Sequence, residues 1–324
     1  MSAITVSGLT KNYDGVLAND DVSFEVAEGE VFGYLGPNGA GKTTTIRTVM
    51  GFQSPTDGTA TLLDADIHDE PAMVAAKERV GYLPANPGFD ENATGQAILD
   101  LHASLKGDSR RAELLDLFDV PIARKIRGYS TGQKQKLGLV QAFMHDPDLV
   151  VMDEPTAGLD PLMQQRFNEF VRDEKRAGKT IFLSSHVLSE VRRICDRVGI
   201  IRNGRMVTVE GVEDLLHRSG KFVRLRVAAA LSEREITVDG VHDLSVQAVD
   251  ETYAETAIAA GSGQADSETV TELTFTYTGD FDSLIDFADD YHVLELDVEE
   301  APLEQVFMQF YGEADEPVAA GGDA

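Results

Sequence analysis

The chain has 324 residues, enough for about two domains with sizeable cores, and its 42% hydrophobic and 26% charged residues exclude a wholly disordered or fibrous protein. No apolar run approaches the roughly 18 to 20 residues of a membrane helix. The N-terminus lacks both the basic and the long apolar region of an export signal. The single cysteine, Cys195, excludes an internal disulfide or a thiolate metal cluster. These features predict a cytoplasmic chain that does not cross a bilayer unaided, with Cys195 on a helix core face beside Val191, Ile194 and Val198.

In chain order, alternating Ile4, Val6, Leu9 and Val22, Phe24, Val26 predict two antiparallel strands, and the nearly continuous apolar run Val31–Leu35 predicts a buried one. That strand runs directly into Gly36-Pro37-Asn38-Gly39-Ala40-Gly41-Lys42-Thr43-Thr44, after which Thr44 to Met50 reads as helix. The pattern is G-x-x-x-x-G-K-[ST]: Gly36, Gly39 and Gly41, with Asn38 and Thr44, let successive backbone N–H groups wrap phosphates at a positive helix end. Lys42 is then placed to neutralise β/γ charge and Thr43 to hold Mg²⁺.

Between about residues 86 and 147 the periodicity becomes helical, with Ile98, Leu101 and Leu105, then Leu114, Leu115, Leu117 and Phe118, so a helical subdomain is expected. The apolar strand Leu149–Met152 follows and ends in Asp153 and Glu154. With a phosphate loop present, Asp153 is a candidate for binding Mg²⁺ through water and Glu154 for polarising an attacking water; the alternative is an ordinary solvated strand end. Strands at Thr180–Leu183 and Val198–Ile201, separated by helical stretches 161–176 and 187–195, complete the alternation of a doubly wound α/β sheet.

This core is expected to end near Leu216. A second, α+β unit starts near Lys221, with strands at Phe222–Val227, Thr271–Tyr277 and His292–Val298 and a helix over Asp282–Asp289. Residues 254–268 read as a mobile loop and Glu313–Ala324 as a disordered tail. Most of the net charge of -28 sits here: from Val227 to Ala324 there are 24 acids and one base, Arg234. Such a surface repels nucleic acid, so no nucleic-acid partner is expected. It suits high salt and a halophilic source; an acidic interaction domain in an ordinary cytosol is the alternative.

Shortly before Asp153, Tyr129-Ser130-Thr131-Gly132-Gln133 resembles the LSGGQ signature of the ATP-binding cassette (ABC) ATPases, and the order of the other motifs matches that family over roughly Ile4 to Leu216. The resemblance implies a P-loop NTPase core with an antiparallel β subdomain and the helical subdomain, spanning 1–216, followed by an acidic accessory domain over 221–312 and the tail 313–324. It implies ATP and Mg²⁺ as ligands. Tyr13 is similar to the aromatic that stacks on adenine. Ser130 is placed to cap the helix starting near Thr131, and with Gly132 admitting close backbone approach, and with Gln133, that terminus would form a second anion site, which in the family faces the opposite subunit. Ala157-Gly158-Leu159-Asp160 resembles the D-loop at the dimer interface, and His186, after Ser184-Ser185, resembles the switch histidine that contacts the γ-phosphate.

One position departs from the pattern: in Val80-Gly81-Tyr82-Leu83-Pro84-Ala85-Asn86, Ala85 stands where the family usually has a glutamine that reaches Mg²⁺. Leu303-Glu304-Gln305-Val306-Phe307, with Phe310 and Tyr311-Gly312 beyond, is similar to the closing helix of the accessory domain in the ABC-2 type exporter group, which includes drug-resistance ATPases. The expected protein is therefore a haloarchaeal-type exporter ATPase with Glu154, His186 and Lys42 catalytic. It would pair as a homodimer or with another ABC subunit around two ATP·Mg, and dock on an integral membrane permease at the inner face of the cell membrane. The alternative is a soluble ABC-type ATPase acting on ribosomes or DNA. A single Lys42 loop, and only about 110 residues from it to Asp153, argue against that alternative.

Overall fold

The computed structural model describes residues 1–249 and 270–300 and divides the chain into two compact units, Met1–Val212 and Glu213–Ala324. In chain order the first unit comprises β1 (Ser2–Tyr13), β2 (Val16–Ala27), β3 (Val31–Leu35), α1 (Lys42–Val49), β4 (Asp57–Leu62), β5 (Ala65–Asp66), α2 (Glu70–Glu78) and β6 (Val80–Leu83). It continues with α3 (Gly95–Lys106), α4 (Arg111–Phe118), α5 (Thr131–Phe143), β7 (Leu149–Asp153), α6 (Pro161–Arg176), β8 (Thr180–Ser185), α7 (Leu188–Ile194), β9 (Arg197–Arg202) and β10 (Arg205–Gly211). Helix α8 (Val212–Ser219) spans the division.

Two sheets form this unit. The antiparallel one runs β2-β1-β4-β5, and its register sets Ile4 opposite Val26, Val6 opposite Phe24 and Leu9 opposite Val22. Each alternating apolar residue therefore meets another across the ladder and shares one buried face. The larger sheet runs β10-β9-β3-β8-β7-β6, parallel except for the edge pair β10·β9. Phe24 of the small sheet stacks on Phe32 and Phe182 of the large one, with ring centroids 5.6 and 5.8 Å apart. Such aromatic pairs contribute about 0.5–1.5 kcal/mol each beyond their buried area and weld the two sheets together.

The parallel strands β3, β7 and β8 are entirely buried, which is why they read as continuous apolar runs, and all end on the same side of the sheet. Ligands of open α/β sheets bind at such carboxyl edges. Helix α1 starts at Lys42, two residues before the expected position, because Gly41, in the left-handed region at φ +105°, is its N-cap. Lys42 and Thr43 thus belong to the helix's first turn.

The expected helical region is present as α3, α4 and α5, and Leu99, Leu114 and Phe118 are buried there. Leu101 and Leu105 are not core: they are 63% and 73% exposed. Arg110 ties the region to α6 by donating from both Nη atoms to the buried Glu174 carboxylate at 2.7 Å. Strands β4 to β6 and helix α2 went unpredicted. Gly58 and the left-handed Leu63 and Asp64 interrupt the period-2 signal of the first two strands.

The second unit is an antiparallel sheet ordered β12 (Val241–Val249), β13 (Val270–Tyr277), β11 (Lys221–Val227), β14 (Val293–Glu300). Helix α9 (Phe281–Asp289), capped by Asp280, covers one face, packing Leu284, Phe287 and Ala288 on Val223, Leu225, Leu273 and Phe275. Strand β12 had no clear alternation because Asp243, at φ +52°, breaks its register between His242 and Ser245. The expected loop at 254–268, the apolar stripe from Leu303 to Phe310 and the tail at 313–324 lie outside the described residues.

Candidate nucleotide site

The loop after β3 encloses a cavity of about 280 Å³ lined by Asn38, Gly39, Gly41, Lys42, Thr43 and Thr44, with Ala85 and Glu154 on its wall. Two glycines are required here by contact. A Cβ on Gly36 would lie 2.4 Å from the carbonyl of Ile201, and one on Gly41 2.4 Å from that of Ala18. The loop is braced from below by a buried polar cluster that no motif announces: Asn19 Nδ2 donates to Thr45 Oγ1 at 3.0 Å, and Thr45 Oγ1 donates to the Gly41 carbonyl at 3.2 Å.

Lys42 is 94% buried, with Nζ donating to the Gly36 carbonyl at 2.6 Å and lying 3.2 Å from Glu154 Oε1. This last contact is an ion pair without hydrogen-bond geometry, so Oε1 has no hydrogen-bond partner. The other oxygen, Oε2, lies 2.8 Å from His186 Nδ1, and His186 is half exposed. Glu154 sits at φ +50°, a left-handed conformation uncommon outside glycine. The surroundings over-determine it: its N–H donates to Ser184 Oγ at 3.1 Å, and its carbonyl accepts from Gln135 Nε2 at 3.2 Å. Gln135 is a buried side chain of α5 whose polar role has no sequence signature.

Asp153, 99% buried, accepts from Thr43 Oγ1 at 2.7 Å and from Ser184 Oγ at 2.5 Å. Adjacent registry makes this possible, since Asp153 is paired directly with Ser184 across β7 and β8. Lys42, Thr43, Asp153, Glu154 and His186, from the ends of three strands, thus form one connected group. The glycine-loop cavity, the Glu154 carboxylate on its wall and the His186 imidazole against that carboxylate are the parts needed to hold a polyphosphate and activate a water against it.

The remaining candidates lie apart from this cavity. Tyr13, 42% exposed at the β1–β2 turn, does not line it; its hydroxyl donates to Gln53 Oε1 at 2.6 Å and Lys11 Nζ sits 5.1 Å from its ring centroid. Gln53 in turn donates to the Thr44 carbonyl at 3.0 Å, linking the ring to the phosphate loop's helix. Ser130 is the N-cap of α5 and forms a capping box with Gln133, so both side chains are engaged with the helix's own N-terminus. Asp160 likewise caps α6 by accepting from Met163 N at 3.0 Å.

At Gly132 a close backbone neighbour is the chain's own Gly158. A Cβ there would lie 2.4 Å from the Gly158 carbonyl, and the Thr131 methyl packs over Gly158. Tyr129 is buried, its hydroxyl donating to the Pro121 carbonyl at 2.7 Å. None of Ser130, Gly132, Gln133 and Asp160 lines the cavity of their own chain.

Comparison with known proteins places the chain in a family. The family profile described as ABC transporter matches residues 19–157. An uncharacterized ABC transporter ATP-binding protein of Nostoc sp. is 41% identical over 232 residues, which are 66% of this chain and 68% of the relative. The daunorubicin/doxorubicin resistance ATP-binding protein DrrA of Streptomyces peucetius is 36% identical over 242 residues, 72% of this chain and 73% of its own length. Among solved structures, an ATP-binding subunit of an ABC transporter superposes with a TM-score of 0.61 at 32% identity, covering 67% of this chain and 93% of that one. The chain belongs to the ATP-binding proteins of ABC transporters.

Proposed function

We propose that this ATPase subunit drives a separate, membrane-embedded exporter of the ABC-2 type, two copies clasping two ATP·Mg between them. The observation that carries this reading is the split of the site. Lys42, Thr43 and Glu154 line one cavity, with Asp153 bonded to Thr43 and His186 against Glu154, while the capped N-terminus of α5, with Ser130 and Thr131 exposed, does not line that cavity. A helix N-terminus attracts anions, so the α5 terminus of one copy suits the triphosphate held by the other.

In this arrangement the backbone N–H groups of 38–44 bind the phosphates and Lys42 exchanges its contact with the Gly36 carbonyl and Glu154 for phosphate oxygens. Glu154 Oε1 accepts a proton from the attacking water, and His186 holds the opposite carboxylate oxygen. Thr43, on the cavity wall, and Asp153, 2.7 Å behind it, are hard oxygen donors that fit a divalent cation keeping part of its water shell. Held by these two residues, Mg²⁺ would supply positive charge against the bound phosphates. Ala85 contributes no ligand atom, so the metal contact expected of that loop is lacking from its side chain. Tyr13, on the turn tied to α1 through Gln53, is the candidate for stacking on the base.

Among the described residues no helix is long and apolar enough to cross a membrane, so work on the cargo requires a partner. A cleft of about 470 Å³ between the segment after β6 and helix α3, lined by Pro84, Pro87, Phe89, Leu101 and Leu105, suits short permease helices. This explains the exposure of Leu101 and Leu105. Docked there, the subunit works at the inner face of the cell membrane. The name of the relative DrrA supports export over import, and the acidic second unit supports operation in high salt without a nucleic-acid partner. Purification of the tagged chain from detergent-solubilised membranes is the test. A polytopic partner lost on Leu101→Glu/Leu105→Glu is expected, whereas capture of ribosomes or DNA instead would overturn the reading.

A further inference from the structure

Glu190, on α7, does not line the cavity and its hydrogen bonds go to none of Lys42, Thr43, Asp153, Glu154 and His186, yet its carboxylate joins the two segments that carry the Glu154–His186 pair. Oε1 accepts from Thr156 Oγ1 at 2.7 Å, and Oε2 accepts from Ser185 Oγ at 2.8 Å. Thr156 lies two residues after Glu154, and Ser185 immediately precedes His186. Both hydroxyl residues are buried, Ser185 completely. Ser185 Oγ also accepts from Val187 N at 2.9 Å, and its other acceptor in reach, the Val187 carbonyl, is farther away at 3.4 Å, so the turn holding His186 is pinned on both sides.

Charge-assisted O–H···O⁻ bonds of this kind are roughly twice as strong as neutral ones and impose direction as well as distance. The 2.8 Å separation of Glu154 Oε2 and His186 Nδ1 depends on two loops that leave the sheet from neighbouring strands and then diverge. Ser184 Oγ ties them at their roots, through Asp153 and the Glu154 N–H. Glu190 ties them one step further out. It also anchors the start of the 156–160 segment, whose Gly158 carbonyl is the neighbour of Gly132 on the α5 terminus.

We infer that Glu190 is a positioning residue for hydrolysis: it sets the Glu154–His186 geometry and couples it to the 156–160 segment without contacting nucleotide. This rests on the reading that Glu154 and His186 serve the reaction. A misplacement of about 1 Å in such a pair costs on the order of 10²-fold in rate. Removing the clamp should therefore lower turnover while leaving the phosphate loop, and hence ATP binding, in place.

The test is steady-state hydrolysis by the full purified chain and its variants, with ATP affinity measured separately by equilibrium binding. Glu190→Ala is expected to lower kcat about 10- to 100-fold with ATP affinity changed less than about threefold, and Glu190→Gln, which keeps one acceptor, to recover most of the loss. In the Glu154→Gln background, Glu190→Ala should cost nothing further, because a positioning effect needs the group it positions. Should Glu190→Ala fail to fold, Ser185→Ala and Thr156→Val each remove one of the two bonds and should lower kcat in the same way. Unchanged kcat, parallel loss of kcat and ATP binding, or a full additional loss in the Glu154→Gln background would each overturn the inference. Failure of Glu154→Gln itself to slow hydrolysis would instead count against the functional reading beneath it.

Discussion

Replacing Glu154 by Gln keeps the size of the side chain and one oxygen, and removes the charge and the basicity. Two contacts change together: the 2.8 Å approach to His186 Nδ1 and the 3.2 Å ion pair with Lys42 Nζ. Loss of a positioned general base costs about 10²- to 10⁴-fold in rate, which is about 2.7–5.5 kcal/mol of barrier. Binding should move in the opposite direction. Lys42 loses an anionic competitor for the phosphates, and a pair of this burial and length is worth about 1–2 kcal/mol, so ATP should tighten by about five- to thirtyfold. Phosphate release measures the first effect, equilibrium binding the second. Sedimentation of the variant with ATP in molar salt reports whether the two copies stay clasped. A variant hydrolysing within about tenfold of the parent would remove Glu154 from the chemistry; one that stays monomeric while saturated with ATP would remove the clasp.

Further outcomes follow from the same contacts. Lys42→Ala should abolish measurable ATP binding while leaving the thermal transition nearly in place, and unchanged affinity would show that the loop at 36–44 is not the phosphate site. Gly132→Ala places a Cβ 2.4 Å from the Gly158 carbonyl, so the α5 terminus and the 156–160 segment must separate. Hydrolysis should fall by at least about tenfold with ATP affinity of the separate copy retained, and parent-like turnover would contradict the contact.

A pH effect on stability is also expected. Burial, helped by the Lys106 cation, pushes the imidazoles of His102 and His145 down to about 4. Between the ordinary histidine range and that value the unfolded chain takes up protons that the folded chain refuses, so stability declines as pH falls from about 6.5 towards about 4. Urea unfolding at pH 7 and pH 5 should show this loss, reduced in the His102→Gln/His145→Gln double variant; equal loss in parent and variant would assign it elsewhere.

What the sequence alone determined is what is encoded by neighbours along the chain. The phosphate loop, the cap at Ser130, the alternating strands β1 and β2 and the buried strands β3, β7 and β8 were legible because hydrogen-bonding geometry and side-chain periodicity act over a few residues. Weakly patterned elements were not: β12 is broken by Asp243, and β4 and β5 are punctuated by left-handed residues. Candidate residues could be named one by one, but not what each would meet.

Tertiary structure decided the pairings, because they join groups far apart in the chain. Thr43 reaches Asp153 across 110 residues, Glu190 gathers Thr156 and Ser185, and Gln135 of α5 holds the backbone of Glu154. It also showed what periodicity leaves open: Leu101 and Leu105, apolar on a helical period, face an open cleft, and Gly132 lies against the chain's own Gly158. A residue's type and spacing restrict the contacts it can make; only the packing of distant segments selects which of them it does make, since that choice minimises buried unpaired polar groups over the whole fold rather than along any one stretch.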